Sequence, residues 1–309
     1  MVMNAESWPD LLEPNLREIF TTAALGRPSP MMERLFGLRS SNKFEEHYLN
    51  TGAFGLVPKF EGSVEYDRLD GGYRTDISHH ELAMGFQVER KLVDDEMYGI
   101  IADMAFGMGD SFAQTRETDA ADKFNNGFSD AATLRLGDSG DGSDGVALCS
   151  AAHPDSPIRA GSTQSNEDVL ALNLDNWDTT RQRMKAFTDD RGQLVASDPN
   201  IALVPRELER TSFQLFNPGA RFEPGSAEFT SNLFAGSVTV IVWDFLTDAN
   251  NWFALDERLM RRQLVWQDRV PLEFSQEGDF DGIKAKFRGY VRYGRGHTGW
   301  QFVYGNAVA

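Results

Sequence analysis

The sequence holds one cysteine, Cys149, in 309 residues. A lone thiol rules out an internal disulfide framework and fits a reducing cytoplasm. No apolar run approaches the ~18 residues that a membrane span needs, so no membrane partner is expected. No basic region followed by a hydrophobic stretch opens the chain, so no secretory signal is expected. Positive charge is also scarce, with 30 Lys and Arg against 47 Asp and Glu and a net charge of -17. Broad nucleic-acid grip needs clustered cations, and an acidic surface slides past phosphates without sticking. Phosphate loops, dinucleotide fingerprints, internal repeats and Pro-rich or Gln-rich tracts are missing as well. What is present is ordinary: 41% hydrophobic residues and 28 glycines, enough for a real core in one large domain or two moderate ones.

The stretch 60–124 organises the chain. Phe60, Val64 and Tyr66 alternate with Glu61, Ser63 and Glu65, which predicts the first arm of a hairpin. Asp67-Arg68-Leu69-Asp70-Gly71-Gly72 reads as its turn, the glycines allowing positive φ. Tyr73, Thr75 and Ile77 return, and then parity changes to Leu82, Met84, Phe86 and Val88. That shift predicts a bend near His79-His80. A long helix follows at 94–124. Asp94, Asp95 and Glu96 sit where its first turn favours acid, and Met97, Ile101, Met104, Met108 and Phe112 supply an apolar stripe. Asn125-Asn126-Gly127 is its stop. Gly99, Gly107 and Gly109 cost about 1 kcal/mol each in helix propensity, so packing must hold this helix. A hairpin projecting beyond any core of its own is expected to lie on another molecule.

Before it, 1–43 reads as an arm. Trp8, Leu11, Leu12, Leu16, Ile19 and Phe20 make a short amphipathic helix, Gly26 to Pro30 break it, and 31–38 adds a turn or two. With nothing of its own to pack against, the arm is expected to dock on a neighbouring subunit instead of folding back. Residues 44–59 read as connecting chain and 128–168 as loops. A helix is expected near 174–188 with Trp177, Met184 and Phe187 in a core. Asp189 to Gly192 turns the chain, 201–204 is a short strand, and Pro205 leads a helix over 207–216. The stretch 217–237 reads as a long loop, 238–243 as the clearest buried strand, and 252–255 as its partner. Near the end Ile283, Ala285, Phe287, Val291 and Tyr293 alternate with Lys284, Lys286, Arg288 and Arg292. That strand has an apolar face and a basic face. The basic face suits nucleic acid or the acidic surface of a neighbouring copy, and the net charge favours the copy.

The search for an active site comes up empty, so no catalytic residue, metal or cofactor is expected. Gly137-Asp138-Ser139-Gly140 and Ser150-Ala151-Ala152-His153 resemble pieces of trypsin-like proteases, but their order is reversed and they lie too close together. Cys149 and His153 are four apart, yet Pro154 argues for a turn, and a buried small residue is the better reading. Asp138, Asp141 and Asp144 lack the spacing and terminal glutamate of a calcium loop. His79 and His80 point to opposite sides of a strand and cannot easily share an ion with Glu81.

An ordered series of segments is similar to the major capsid proteins of tailed bacteriophages with the Hong Kong ninety-seven fold. It runs from Trp8-Pro9-Asp10-Leu11-Leu12-Glu13-Pro14 through Glu45-Glu46 and Gly52-Ala53-Phe54-Gly55-Leu56-Val57-Pro58 to Gly85-Phe86-Gln87-Val88-Glu89-Arg90. It continues through 142–154, Asp190-Arg191-Gly192, Leu203-Val204-Pro205, Leu246-Thr247-Asp248 and Trp252-Phe253. The resemblance implies an α+β fold with an amino-terminal arm at 1–43 and an extended loop hairpin with its base at 44–90. It implies a peripheral domain with a spine helix at 91–149, an axial domain at 150–265, and a return to the peripheral sheet at 266–309. It also implies hexamers and pentamers closing into an icosahedral virion shell around double-stranded DNA, assembled in a host bacterial cytoplasm.

Subunit contacts would fall on Tyr66, Arg68, Leu69, Asp70, Tyr73 and Arg74 of the loop, and on Trp8, Leu11, Leu12, Ile19 and Phe20 of the arm. The stretch 60–75 has no lysine, so the covalent weld of some relatives is not expected. With Met1 directly at the arm, scaffolding is expected from a separate chain, beside a portal and decoration proteins. The rival within the fold is an encapsulin-like compartment, and the rival outside it is a cytosolic hydrolase using Cys149.

Overall fold

The computed structural model of the protein describes residues 8–26, 30–95, 97–157, 163–217, 234–279 and 281–308, with side chains from residue 12 onward. The chain runs α1 (Trp8–Leu25), α2 (Met31–Leu35), β1 (Gly37–Ser40), β2 (Glu45–Thr51), β3 (Gly71–Ser78), β4 (His80–Glu89), α3 (Arg90–Asp94) and α4 (Tyr98–Asn125). Three two-residue strands follow, β5 (His153–Pro154), β6 (Thr163–Gln164) and β7 (Glu167–Asp168). Then come α5 (Leu174–Lys185), β8 (Ile201–Val204), a 3-10 turn and α6 (Glu209–Phe216). The rest is β9 (Thr239–Val242), β10 (Trp252–Leu255), α7 (Glu257–Gln263), β11 (Leu264–Asp279), β12 (Lys284–His297) and β13 (Val303–Asn306).

The backbone of the larger body is a ribbon of β11 and β12, flanked by β1 and β4 in the order β1-β11-β12-β4. Its register shifts between Asp268 and Glu273, where Pro271 has no N–H to give the ladder. The alternation in β12 sends Ala285, Phe287, Val291 and Tyr293 inward, all at most 2% exposed. Ile283 is the exception: it is exposed and left-handed at φ 49° in the turn before the strand. Helix α4 lies against the apolar face, and α1 packs beside it. Phe20 meets Phe112 edge-on at 5.7 Å and tilts against Phe274 at 5.1 Å. The rings fit because the sheet is bare at Gly289, where a Cβ would come within 2.6 Å of Phe112.

A second sheet runs β7-β13-β10-β8-β9. Its central strands are buried on both faces and divide their side chains by parity. Ile201, Leu203, Phe253 and Leu255 join the larger core. Ala202, Val204, Trp252 and Ala254 join a second core with Trp177, Met184, Phe216, Trp300 and Tyr304. Phe124, on the last turn of α4, meets Phe253 at 5.3 Å and Trp243 at 6.0 Å, so one helix bears on both sheets.

Several expectations hold. Helix α5, its core stripe, the Asp189 to Gly192 turn, β8 and the Asn126 cap of α4 stand where the sequence places them. The parity change at His79 is a change of sheet: β3 pairs with β2, whereas β4 pairs with β12. Other expectations fail for identifiable reasons. The partner of β3 is β2, within the supposed connecting chain, and 60–66 has no regular strand. Gly71 and Gly72 are strand residues, and the positive φ falls on Gly62 at 103°. The acids Asp94 and Asp95 belong to a short separate helix and its cap, so α4 starts at Tyr98 with no acid in its first turn. Met97 and Met104 drop out of the buried stripe, which is Ile101, Ala105, Met108 and Phe112. Strand β9 is a half-exposed edge paired with β8, because β10 spends both its edges on β8 and β13. Strand β13, expected in the sheet of β12, joins the other one, since the chain turns at 298–302 after β12 ends. The long loop expected at 217–237 lies mostly outside the described residues.

Gly109 lets α1 and α4 touch. A Cβ there would stand 2.5 Å from the Phe20 carbonyl oxygen and 2.8 Å from Ala23 Cβ, whereas one at Gly107 would meet open space. Gly107→Ala is expected to stabilise the subunit by up to about 1 kcal/mol through helix propensity. Gly109→Ala is expected to destabilise it by about 1–3 kcal/mol through overpacking. Denaturant unfolding of the two variants checks the contrast.

Candidate functional site

The feature of this chain that asks for a function is the loop 52–70 between β2 and β3. Among the described residues no second layer covers it. Leu56 is 83% exposed, Val57 94%, Phe60 70% and Tyr66 94%. Arg68 is exposed and Leu69 is 37% exposed. The other candidate loop residues are tied to their own chain. Arg74 donates to Asp76 at 2.7 Å and lies 2.9 Å from His47. Tyr73 is half-buried, and burial together with Asp144 and Asp155 pushes its hydroxyl pKa up. Asp70 accepts the Gly52 N–H at 2.9 Å and closes the loop's stem.

The arm has changed status. Phe20 is 1% exposed and Leu16 3%, both within the chain's own core, and Leu12 and Ile19 pack partly against it. The fold-back reading therefore replaces the docking reading for Phe20, because the α4 groove at Gly109 and Gly289 supplies the surface that the sequence did not reveal. The side chains of Trp8 and Leu11 lie outside the described residues.

The basic face of β12 also finds acids at home. Lys286 is 2.8 Å from Asp279, Arg292 is 3.6 Å from Glu81 and stacks over Phe44, and Lys284 is 3.8 Å from Glu89. Antiparallel neighbours β4 and β11 bring these carboxylates alongside, which sequence spacing could not show. Arg288 is exposed on the same face.

The chemical candidates dissolve into structure. Cys149 is 1% exposed, and burial pushes its thiol pKa well up, the opposite of an activated nucleophile. His153 is fully engaged, with Nδ1 2.6 Å from Asp144, Nε2 3.0 Å from Asn166, and its ring stacked on Trp300 at 4.4 Å. His79 turns to the Phe44 carbonyl and His80 to Asp138. Among the described residues no group of three metal-binding side chains converges. No described helix is long and apolar enough to cross a membrane. A cavity of about 570 Å³ opens at the loop's base beside Trp300 and His297. Its histidine is kept neutral by burial, which lowers its pKa well below the ordinary value.

The sequence profile of a family described as phage capsid protein matches residues 72–306, well over half of the chain. The chain belongs to the phage capsid protein family. It is a structural protein of the capsid shell. Solved capsids agree in fold. A Microbacterium phage Oxtober96 chain superposes with a TM-score of 0.54 at 13% identity, covering 92% of each chain. The capsid of cyanophage P-SCSP1u gives a TM-score of 0.58 at 11% identity, covering 92% of this chain and 89% of that one. A virus-like particle from Pyrococcus furiosus gives 0.54 at 10% identity, covering 95% and 98%. None of the curated proteins matches.

The capsid protein is stiffened by an ion network that sequence reading missed. Asp119 and Asp122 of α4 meet Arg295 and Tyr293 of β12 in the interior, and Arg135 and Asp138 of the loop after α4 reach them from its edge. Arg135 grips Asp119 with two bonds of 2.5 Å, Tyr293 donates to the same carboxylate, and fully buried Arg295 reaches Asp122 at 3.0 Å and Asp138 at 3.6 Å. Asp138 also holds His80 at 2.6 Å, which ties the base of the loop strands to the helix. Nearby Glu117 accepts the Trp243 indole N–H at 3.0 Å and the Met32 N–H at 3.2 Å. The acids on α4 were legible only as breaks in an apolar stripe. Their partners lie far along the chain.

Lys123 belongs to this interior and donates to the Ser139 carbonyl at 3.0 Å. Burial, then Arg295, lower its pKa to about 8 from 10.5. Below pH 8 the native state carries the whole cost of a buried ammonium. Between pH 8 and 10.5 the unfolded state binds more protons, so stability rises with pH and then levels off. Relative to Lys123→Met, the wild-type subunit is expected to gain about 3 kcal/mol across that window. Chemical denaturation at stepped pH measures it, and a constant difference between the two proteins would refute it.

Proposed function

We propose that this capsid protein is the major head protein of a tailed double-stranded DNA phage or prophage. It assembles into hexamers and pentamers of an icosahedral shell. The observation that carries this reading is the loop 52–70, whose large apolar side chains lie open on the subunit. An exposed apolar segment of this kind is normally covered by a partner. In a shell every subunit both offers a loop and receives one, so modest contacts add up around the lattice. In this reading the ribbon of β11 and β12 with α4 forms the peripheral domain, and the sheet around β8 and β10 forms the axial domain. Trp8 and Leu11 at the start of the arm remain candidate contacts to a neighbour, with Tyr66, Arg68 and Leu69 on the loop. Arg288, exposed on the basic face, is its candidate contact to another copy.

The net charge of -17 supports enclosure of DNA without sequence-specific grip. Scaffolding, portal and decoration functions belong to other chains, and assembly takes place in the host bacterial cytoplasm. The protein catalyses no reaction in this reading, since Cys149 is a buried thiol with a raised pKa and His153 is held by Asp144 and Asn166.

Removing 56–66 is expected to leave a folded, soluble subunit that forms no closed particles. Circular dichroism reads the fold, and sedimentation with electron microscopy reads assembly. Normal shells from the deleted protein would contradict the proposal. Shells that co-purify with cargo proteins and never with DNA would favour an encapsulin-like compartment instead.

A further inference from the structure

One turn of the chain grips both stems of the loop. The turn 189–193 is stiff by itself: Asp189 accepts the N–H groups of Arg191 and Gln193 at 2.9 Å each, and Gly192 takes a φ of 77°. From it Arg191 donates through Nη1 to Asp67 at 2.7 Å and through Nη2 to the Arg68 carbonyl at 2.8 Å. Asp67 accepts the Gly55 N–H at 2.8 Å on the opposite stem, so one carboxylate joins both stems and the turn. Asp190 accepts the Ala53 N–H at 2.8 Å, and Gln193 donates to the Phe54 carbonyl at 2.7 Å. Two glycines make room for these groups. A Cβ on Gly52 would stand 2.5 Å from the Asp190 carboxylate, and one on Gly55 3.0 Å from the Arg191 guanidinium. The Arg191 side chain is only 16% exposed.

These contacts are all polar, and they hold the stems while leaving the apolar tip bare. Leu56, Val57 and Phe60 begin immediately beyond the gripped residues. We infer that Arg191 and its turn are a positioning clamp, which fixes the direction in which the loop leaves the subunit and presents its apolar tip to a second copy already ordered. The inference rests on the reading of the loop as an assembly surface. Its physical basis is that ordering a loop costs conformational entropy, and a loop ordered before docking does not subtract that cost from the contact. All the clamp's partners are in one chain, so it forms before any neighbour arrives.

Arg191→Ala and Asp67→Ala test it, the second at an exposed residue whose loss leaves the core untouched. Either variant is expected to raise the subunit concentration needed for particle formation roughly three- to tenfold, with the unfolding midpoint unchanged. Amide exchange at 52–56 in the free subunit is expected to quicken. The double variant is expected to raise the threshold by less than the product of the two single effects, because the Arg191–Asp67 contact is lost in both. An unaltered assembly threshold would overturn the clamp alone, and a lowered one would show that the turn restrains the loop. Loop-deleted subunits that still assemble would overturn the underlying reading and the clamp together.

Discussion

Close contact between the aromatic rings of Phe20 and Phe112 and a sheet left bare at Gly289 sets the arrangement of the whole subunit. It lets α1 and α4 lie together on the ribbon of β11 and β12, and it fixes the height of α4 above that ribbon. Once α4 is seated, its last turns reach the second sheet through Phe124, and its acids meet Arg295 and Tyr293 from below. Bringing these carboxylates inward is tolerable only because Arg135 and Arg295 arrive with them. The network therefore depends on the aromatic packing, and the packing gains a defined register from the network.

The loop stands apart from this economy. It has stems gripped by polar groups and a tip that no described element of the chain covers. In the proposed reading such a subunit keeps its shape through the core and meets a copy of itself at the loop. Membership of the phage capsid protein family supports the proposal that this openness serves assembly, since a shell protein needs surfaces that are satisfied only in company.

Local chemistry made much of this visible beforehand. The helix α5, the strand Ile201–Val204, the two-faced β12 and the stop at Asn126 all follow from side-chain period and capping over a few residues. Pairing was harder. The alternation of Phe60, Val64 and Tyr66 looks like a strand, yet β3 takes 45–51 as its partner because pairing depends on how 52–70 closes. The arm looked unaccompanied because the groove that receives Phe20 is assembled from residues about 90 and 270 positions away.

Residue order alone settled that this is a one-cysteine, acidic chain with a two-faced carboxy-terminal strand and a long helix, because those properties are carried by composition and short periods. Tertiary structure decided which strands pair, that Leu16 and Phe20 of the arm pack at home, that the basic face of β12 is matched by Glu81, Glu89 and Asp279, and that Arg191 reaches Asp67 across the stem. These are contacts between residues far apart in the chain, and such contacts are selected by the summed burial of the fold and not by any short stretch of it.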